Sequence, residues 1–366
     1  MLHGICYSSF IQVIQNAEAA VAASRDPFDR VRQIGRNHLT TTLAYQKEFS
    51  VSIMECHALS LDYRAEIENL WKRYKTLIYS TLDGAKGAGV IRNDVPNRYL
   101  YMTLMSMLNW SVIWYRPGKG LSVSELDQIF ATIYFNGAAK PGIRRTKRAA
   151  SSQRATQFSS PPITVSVAVP VSETHLRLLD VACTLFTRKG YFATSIREIA
   201  DLMGLQKASL YYYIATKEDL LYQISRAALE HISAGVKGAL EQVSRPADRV
   251  HTLITSHVIS LLYHQNWYAA ANDELHALSP ERREEIVALR DEYELLLRKT
   301  LEEGQAAGIL RADIPAKFLG LVLLGMINHI YPWYQPEIDL TPMELGSLLA
   351  DLFMTGIASG NTIHTI

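Results

Sequence analysis

Apolar residues recur every three or four positions along most of the chain, which is the spacing of one face of an amphipathic α-helix. One such face occurs twice, formed by Ile67, Leu70, Tyr74, Leu77 and Leu82 and again by Ile286, Leu289, Tyr293, Leu296 and Leu301. Gly89 and Gly308 follow these stretches where the chain must turn, and Pro96 and Pro315 suit the first turn of the next helix. The run Ile163–Val169 alternates like a strand but has no partner run nearby, so we expect extended coil there. The pattern predicts an all-α fold.

An internal repeat organises the chain. With a constant offset of 219, residues 31–137 align with residues 250–356 without a gap, and 34 of these 107 positions are identical. The sequence ECHALS at Glu55–Ser60, for example, aligns with ELHALS at Glu274–Ser279. A repeat of this length indicates the duplication of a whole domain rather than of a short solenoid unit. We refer to the two domains as copy one and copy two.

Composition narrows the class of protein. Of the 366 residues, 48% are hydrophobic, which excludes a chain that is disordered throughout. Lys and Arg number 37 against 36 Asp and Glu, so the net charge of +1 creates no global field, and any nucleic-acid or membrane site must be a local patch. The most apolar runs, Leu100–Tyr115 and Phe318–Ile330, are interrupted by Asn109, Asn328 and His329. They predict buried or interface helices rather than membrane spans.

The cysteines and the N-terminus indicate the compartment. Cys6, Cys56 and Cys183 are few, odd in number and without CxxC spacing, which argues against a disulfide framework or a zinc site. The N-terminal sequence MLHGICYSSF has no Lys or Arg ahead of its apolar stretch, unlike a signal peptide. A reducing cytoplasm is the expected location.

Residues 139–171 differ in composition from both copies. The stretch is rich in Ser, Ala and Pro, and its basic residues are Lys140, Arg144, Arg145, Lys147, Arg148 and Arg154. It predicts a flexible linker. Two interpretations of its basic cluster IRRTKR stay open: a contact with DNA phosphates, or a solvated linker kept soluble by its charge.

A segment of about 45 residues precedes copy two and has no counterpart ahead of copy one. Ser172 can cap a first helix that ends at Gly190. Thr194 or Ser195 can cap a second helix, and the S-x-x-E sequence that begins at Ser195 is a capping-box pattern. Gly204 then makes a tight turn into a third helix over residues 206–213. The apolar faces of the first two helices are Leu176, Leu179, Cys183 and Phe186, and Ile196, Ile199, Ala200 and Met203. This is a helix-turn-helix whose last helix suits the major groove.

The stretch ACTLFTRKGYFATSIREIADLMGLQKASLYYYIATKEDLL resembles the DNA-binding domain of the TetR family of transcriptional regulators. The positions that match the family pattern are Ala182, Leu185, Phe186, Gly190, Tyr191, Thr194, Ser195, Ile196, Ile199, Ala200, Gly204, Leu205, Ala208, Ser209, Leu210, Tyr211, Tyr213, Thr216, Lys217, Glu218 and Leu220. Ile214 departs from the pattern, since the family usually has Phe there. The resemblance implies a helix-turn-helix three-helix domain over residues 172–220 and TetR-like C-terminal domains over 1–138 (copy one) and 221–358 (copy two).

The resemblance also implies contacts with double-stranded operator DNA. The residues expected at base edges begin the recognition helix and are Gln206, Lys207, Ala208 and Ser209. The residues expected at phosphates are hydroxyls and cations near helix ends: Thr194, Ser195, Arg197, Tyr211, Tyr212 and Lys217. Arg197 is equally well explained as an exposed surface charge, and Leu210 is expected in the core.

TetR-family C-terminal domains usually pair through their last two helices as a four-helix bundle. The counterparts in this chain are Leu100–Trp114 with Val123–Gly137 in copy one and Phe318–Trp333 with Pro342–Gly356 in copy two. Met1 aligns near Leu221, so copy one begins where a helix-turn-helix would have ended. Either that domain was lost or this chain starts late. A homodimer and an intramolecular pseudo-dimer of the two copies both stay open.

The C-terminal domain of the family binds small-molecule effectors. The segments ELHALSPERREEIVALRDEYELLLRKTLEEG and NHIYPWYQPEIDLTPMEL resemble a subgroup whose members often respond to acyl-CoA thioesters. The candidate pocket residues recur in both copies: Glu55, His57, Asn109, Trp114 and Tyr115, and Glu274, His276, Asn328, Trp333 and Tyr334. Each is also explained as a core or helix-end residue. The recurring Glu-x-His does not share a helix face, which argues against a metal site.

Three classes of function are weighed against one another. The first is a DNA-binding transcriptional regulator, a ligand-released repressor without a cofactor. The second is an interaction protein in which copy one pairs with another TetR-type regulator and DNA binding is partial. The third is an enzyme, which is disfavoured because the sequence has no Gly-rich phosphate loop, nucleophile elbow or metal cluster. The first is preferred.

Overall fold

The computed structural model describes residues 2–55, 59–118, 120–137 and 172–356, without the side chains of residues 53–55. The helices of copy one are α1 (Leu2–Ala23), α2 (Pro27–Ala44), α3 (Gln46–Glu55), α4 (Leu61–Gly87), α5 (Asn97–Trp114) and α6 (Val123–Asn136). Ahead of copy two lie α7 (Glu173–Lys189), α8 (Ile196–Met203) and α9 (Lys207–Leu210). Copy two contains α10 (Lys217–Glu241), α11 (Pro246–Tyr263), α12 (Gln265–Asp273), α13 (Pro280–Ala306), α14 (Ala316–Asn328) and α15 (Pro342–Thr355), with a 3-10 turn at Leu275–Ala277.

These elements confirm the all-α class. The linker expected at residues 139–171 lies outside the described residues. Within the part of the chain that the structure describes, no helix combines the length and apolar character needed to cross a bilayer.

The two copies begin their last helix with the same device. Ser122 accepts a hydrogen bond from the Glu125 backbone N–H at 3.2 Å, and the Glu125 carboxylate accepts one from the Ser122 N–H at 2.8 Å. Thr341 and Glu344 form the same reciprocal pair, at 3.3 and 3.0 Å. This capping box satisfies backbone donors that a helix start leaves without partners. The local sequence therefore sets where α6 and α15 begin.

The chain divides into two compact units, and their limits cut across copy two. Unit 1 holds residues 1–146, 304–330 and 348–366, and unit 2 holds residues 147–303 and 331–347. In unit 1, α1 packs against α2, α3 and α4, and α2 packs against α5 and α6. In unit 2, α10 packs against α7, α11 and α12. The last helices of copy two thus cluster with copy one because α14 packs against α5 and α6.

The α5–α14 contact in unit 1 is made by equivalent residues of the two copies. The Ser106 hydroxyl donates to the His329 carbonyl oxygen at 2.9 Å. Gly325, the equivalent of Ser106, lies against Trp110, the equivalent of His329, and a Cβ at Gly325 would lie 3.3 Å from the Trp110 Cβ. Ser106 therefore contacts the equivalent of Trp110 in copy two, and the equivalent of Ser106 in copy two contacts Trp110. Such reciprocal contacts are typical of an interface between two-fold-related subunits.

The ends of α6 and α15 repeat this exchange. A Cβ at Gly137 would lie 2.3 Å from the Met354 carbonyl oxygen, and a Cβ at Gly356 would lie 2.3 Å from the Phe135 carbonyl oxygen. Positions 137 and 356 are equivalent, and so are 135 and 354. Both glycines have positive φ, +76° and +65°, which other residues rarely adopt. The four residues thus make two reciprocal backbone contacts within unit 1.

One predicted element differs in length from its counterpart. The sequence predicts a helix over Phe318–Trp333, but α14 ends at Asn328, whereas α5 continues to Trp114. Pro332 explains the difference, because it has no N–H to bond the Asn328 carbonyl and its ring clashes with that turn. Copy one has Ile113 at the equivalent position, which α5 includes without a break. The predicted α14 boundary is therefore wrong.

Candidate DNA-binding site

Local sequence signals build the three short helices ahead of copy two. The Ser172 hydroxyl accepts from the His175 N–H at 3.2 Å at the start of α7, and the Ser195 hydroxyl accepts from the Glu198 N–H at 3.2 Å at the start of α8. Gly190 ends α7 with φ of +89°, and Gly204 ends α8 with φ of +68°. The predicted capping box at Ser195 is half formed, because the Glu198 carboxylate pairs with Lys189 instead of the Ser195 N–H.

The recognition helix is shorter than the sequence predicts. The expected helix covers residues 206–213, whereas α9 covers Lys207–Leu210 and turns follow. Two backbone bonds after it run from residue i to i−3: Tyr212 N–H to the Ser209 carbonyl at 3.3 Å and Tyr213 N–H to the Leu210 carbonyl at 2.9 Å. Such 3-10 bonds tighten the chain after one turn. Leu210 and Ile214 anchor the segment, with exposed fractions of 0% and 3%.

Seven of the side chains expected at DNA are solvent exposed, namely Arg197, Gln206, Lys207, Ala208, Ser209, Tyr211 and Tyr212. The tyrosine rings are unusually accessible for such large groups, with exposed fractions of 50% for Tyr211 and 77% for Tyr212. Ser195 is also exposed, although its oxygen already caps α8. Exposed amide, ammonium and hydroxyl groups on one short segment suit base edges and phosphates.

Two expected phosphate contacts need correction. Thr194 is 2% exposed, and its hydroxyl donates to the Gly190 carbonyl at 2.9 Å, so it supports the turn instead of facing DNA. The Lys217 ammonium donates to the Tyr191 and Thr194 carbonyls at 2.8 Å each and lies 4.1 Å from the Tyr191 ring centre. Desolvation by its surroundings lowers the pKa of Lys217. Its charge therefore stabilises the turn between α7 and α8.

A dense joint holds these helices on the C-terminal domain of copy two. The Trp267 indole N–H donates to the Asp180 carboxylate of α7 at 2.5 Å. The Ser279 N–H donates to the Glu218 carboxylate at 2.9 Å, and this backbone hydrogen bond lowers the pKa of Glu218. Beside the Trp267 contact opens a shallow groove of about 360 Å³, lined in part by Tyr263. The joint ties α7 to α12, and α10 to the residue that precedes α13.

Glu274 and His276 belong to this joint, which corrects their expected place in an effector pocket. The Glu274 carboxylate is 6% exposed and accepts from the Tyr191 backbone N–H at 3.0 Å. His276 is exposed, and its ring centre lies 5.9 Å from that of Phe192. Both side chains contact the turn between α7 and α8. In copy two the recurring Glu-x-His therefore supports the packing of the helix-turn-helix on the C-terminal domain.

The equivalent candidates in copy one are partly described. Glu55 (its side chain) and His57 lie outside the described residues. The Asn109 side-chain oxygen lies 3.0 Å from His38 Nε2, and burial lowers the pKa of His38 to about 4. The Tyr115 hydroxyl donates to the Leu121 carbonyl at 3.2 Å. Trp114 is partly buried at the end of α5. These contacts stabilise the domain.

The remaining candidates in copy two lie near the end of α14. Asn328 is the last residue of α14 and is 8% exposed. The Tyr334 carbonyl accepts from the Gln265 side chain at 3.2 Å, while the Tyr334 side chain is buried and Trp333 is half-buried. The Gln46 side chain makes the equivalent bond to the Tyr115 carbonyl, at 2.9 Å. The shared residues thus hold a shared turn.

A polar cluster in copy two escaped the sequence analysis. The Tyr331 hydroxyl donates to the Asp273 carboxylate at 2.5 Å and accepts from the Asn272 amide at 3.0 Å. Arg290 of α13 donates to the Ala271 carbonyl at 3.2 Å, and the Tyr268 ring packs edge-on against Tyr331 with centres 5.5 Å apart. Copy one has apolar residues at most of these positions. A search for differences between the copies, rather than for identities, would have revealed the cluster.

Family comparisons define the class of protein. Residues 24–138 and again 243–357 match the family described as tetracyclin repressor-like, C-terminal domain. Residues 178–224 match the family described as bacterial regulatory proteins, tetR family. The chain therefore belongs to the TetR family of transcriptional regulators, with one DNA-binding match and a repeated C-terminal domain.

Named relatives of this chain each match about half of its length. The HTH-type transcriptional repressor KstR2 of Mycobacterium tuberculosis H37Rv is 24% identical over 196 residues, which are 52% of this chain and 96% of that protein. KstR2 of Rhodococcus jostii RHA1 is 27% identical over 183 residues, 50% of this chain and 90% of that protein. A solved structure, the TetR family regulator PfmR from Thermus thermophilus, is 33% identical with a TM-score of 0.47 and covers 49% of this chain and 98% of its own.

Proposed function

We propose that this chain is a transcriptional repressor that binds duplex operator DNA through residues 206–212 and is released by a small-molecule effector. The observation that carries the proposal is the exposed recognition segment fixed on a buried joint. Gln206 and Lys207 present an amide and an ammonium to base edges, and Tyr211 and Tyr212 present hydroxyls to phosphates. The similarity to named repressors of the TetR family supports the direction of regulation.

The proposed release mechanism uses the joint. Glu274 holds the turn between α7 and α8, so a movement of α12 changes the position of the recognition segment. An effector needs to favour the non-binding position by only about 1–3 kcal/mol to release DNA. An acyl-CoA thioester is the proposed effector class, on the resemblance of residues 274–304 and 328–345 to regulators of that type.

We also infer that the chain pairs its own two C-terminal domains. The reciprocal contacts Ser106–His329 and Gly325–Trp110 support this, since a second chain would have to compete for the same surfaces. Each paired module then presents the one helix-turn-helix that this sequence carries. The mass of the free chain in solution tests the inference. We expect about 41.1 kDa, and twice that mass without DNA would contradict it.

Fluorescence anisotropy with DNA from upstream of the gene tests the DNA-binding function, at two salt concentrations. Lys207→Ala with Tyr211→Ala should abolish salt-dependent, specific binding. The matched control is Lys72→Ala with Tyr45→Ala, which removes an exposed lysine and a tyrosine of similar exposure, 51%, from copy one. Equal binding by the first double variant and the wild type would reject residues 206–212 as the DNA contact.

A further inference from the structure

We infer that the effector site exists in copy two alone and that the Arg290 guanidinium binds an anionic oxygen group of the effector there. The inference rests on the proposed ligand-released function, because it names the part of the molecule that the ligand contacts. It follows from three observations: an incomplete set of partners around Arg290, an apolar filling at the same place in copy one, and the position of Arg290 under the DNA-binding joint.

Arg290 lacks a counter-ion in contact. Its Nη2 donates to the Ala271 carbonyl at 3.2 Å, and among the described residues no carboxylate oxygen lies within 4.0 Å of the guanidinium. Arg290 is half-buried, and partial desolvation lowers its pKa. A desolvated charge is unfavourable unless an opposite charge pairs with it. The charge of Asp273 acts on Arg290 without such a contact, and the Asp273 carboxylate accepts a hydrogen bond from the Tyr331 hydroxyl.

The groups around Arg290 can recognise the rest of an anionic ligand. Tyr268 and Tyr331 are both 7% exposed and turn hydroxyl-bearing rings toward one another. Asn272 is half-buried and Asp273 is exposed, so the cluster reaches solvent. A guanidinium binds a carboxylate or phosphate through two parallel hydrogen bonds, and four of its five donors are still available. This arrangement suits an anion that enters from the α12 side.

Copy one has no charge at the same place. Trp71, Phe49 and Val112 occupy the positions of Arg290, Tyr268 and Tyr331. The Phe10 ring lies 4.7 Å from the Trp71 ring and 5.6 Å from the Phe49 ring, between centres, and Phe10 itself stands where copy two has Leu229. Three aromatic side chains therefore fill the region that is polar in copy two.

The neighbouring framework is the same in both copies, so the fold does not cause this difference. His38 Nδ1 lies 3.1 Å from the Tyr74 hydroxyl, and His257 Nδ1 lies 2.6 Å from the Tyr293 hydroxyl. These pairs occupy equivalent positions one helical turn from Trp71 and Arg290 respectively. The substitutions change the chemistry of the site within a conserved scaffold.

Arg290 also lies where a ligand can affect DNA binding. Its partner Ala271 is 1% exposed and belongs to the apolar core that supports α7 and α8. Three residues further along the chain, Glu274 holds the Tyr191 N–H. An anion that draws the guanidinium away from the Ala271 carbonyl therefore acts on the segment that seats the helix-turn-helix.

Isothermal titration of the full chain tests the site with three probes: octanoyl-CoA, coenzyme A and octanoate. Each carries an anionic oxygen group, and the comparison distinguishes a thioester with phosphates from a free carboxylate. We expect one site per chain for at least one probe. Arg290→Met should weaken that probe by about 10-fold or more, because a charge-assisted hydrogen bond is lost. Trp71→Met, the same replacement at the equivalent position, should leave the affinity unchanged.

The melting temperature without ligand provides a second readout. Replacing a half-buried charge that has no counter-ion within 4.0 Å should leave the melting temperature of Arg290→Met unchanged or raise it. A clear decrease would show that Arg290 holds the fold, and it would overturn the inference. Two sites per chain, equal affinity in Arg290→Met, or no saturable binding by any probe would also overturn it. DNA anisotropy decides the proposed regulatory function separately.

Discussion

The surfaces on which a DNA-binding domain would rest differ between the two copies. In copy two, Trp267 is 4% exposed and donates to Asp180 of α7, and Ala227 is 1% exposed. In copy one, the equivalent positions are Glu48 and Ser8, and both are exposed. A carboxylate supplies neither the N–H that Trp267 donates to Asp180 nor the apolar ring that Trp267 buries. The duplicated fold is therefore the same, while the seat for a DNA-binding domain is built in copy two.

The contacts that both copies retain show what the shared domain fold requires. Arg92 pairs with Asp94 and Arg311 pairs with Asp313, each at 2.5 Å, in the turn after the long helix. The Gln46 side chain donates to the Tyr115 carbonyl after α5, and the Gln265 side chain donates to the equivalent Tyr334 carbonyl after α14. These residues satisfy backbone or charged groups that every copy of the domain must satisfy. These identities between the copies thus mark contacts that the fold requires, whereas the shared Glu274 also contacts the helix-turn-helix.

The largest expected effect comes from giving copy two the copy-one residue at the joint. Trp267→Glu should destabilise the helix-turn-helix by about 3–5 kcal/mol, because it buries an unpaired charge beside Asp180 and removes a large buried ring. Hydrogen exchange of α7–α9 should accelerate and operator binding should be lost. The reciprocal Glu48→Trp, at an exposed position, should change stability by less than about 0.5 kcal/mol. Equal effects of the two variants would refute the difference between the surfaces.

The reciprocal glycines allow a sharper test of the pairing within unit 1. Gly137→Ala should lower the stability by about 3 kcal/mol or more, since the methyl group would meet the Met354 carbonyl at 2.3 Å and φ is positive. Gly356→Ala should behave alike. Gly89→Ala is the matched control, with φ of +72° and no neighbouring atom within 4 Å, and should cost about 1 kcal/mol. Thermal melts check the order, and an equal loss at Gly89 would argue against a close contact.

The pH dependence of stability should reveal the buried His38, one of two histidines in unit 1 whose pKa burial lowers to about 4. Burial lowers the pKa of His38 to about 4 from an ordinary value of 6.5. Below pH 6.5 the unfolded chain binds a proton that folded His38 does not, so stability falls from pH 6.5 to 4 and levels off below. The loss attributable to His38 is up to about 3 kcal/mol. Denaturant titrations at several pH values should show a shallower slope for His38→Gln, and parallel slopes would show that His38 does not titrate in this window.

The smallest expected effect concerns an ion pair whose acidic residue has a neutral equivalent in the other copy. Arg92 donates to the Asp351 carboxylate at 2.5 Å, whereas Asp351 has Thr132 as its equivalent in copy one. Asp351→Thr should cost about 1 kcal/mol and the loss should shrink in high salt. Thr132→Asp should add a partner for Arg311 and recover about 0.5 kcal/mol. A salt-independent loss would mean that the pair acts through packing.

Features that depend on neighbouring residues in the sequence, such as helix caps and turns, could be predicted well. The caps at Ser172 and Ser195 and the turns at Gly190 and Gly204 lie where the pattern indicates. The exposure of most residues expected at DNA also followed, because the spacing of apolar anchors such as Leu210 fixes which neighbours point outward. The family match then confirmed the interpretation of this segment.

The sequence predicted poorly what depends on contacts between distant residues. Glu274 bonds a backbone N–H 83 positions away, and nothing in its local sequence indicates that partner. Thr194 and Ser195 are adjacent hydroxyl residues, and only packing decides which is buried. Pro332 is a local signal for the end of α14, but the predicted boundary followed the apolar pattern, which continues past it. The effector candidates were chosen for identity between the copies, which selects residues that hold the fold.

The contact between positions 106, 110, 325 and 329 has a consequence for inheritance. In a dimer of identical chains, one codon encodes both members of a two-fold-related pair of residues. Each mutation at the interface therefore changes both subunits together. Here each position is encoded separately. A hydroxyl at Ser106 meets the backbone of His329, while the absence of a side chain at Gly325 allows the Trp110 Cβ to approach closely. Tethering two protomers in a single gene lets an interface explore unequal halves, which a symmetric assembly of one sequence does not permit.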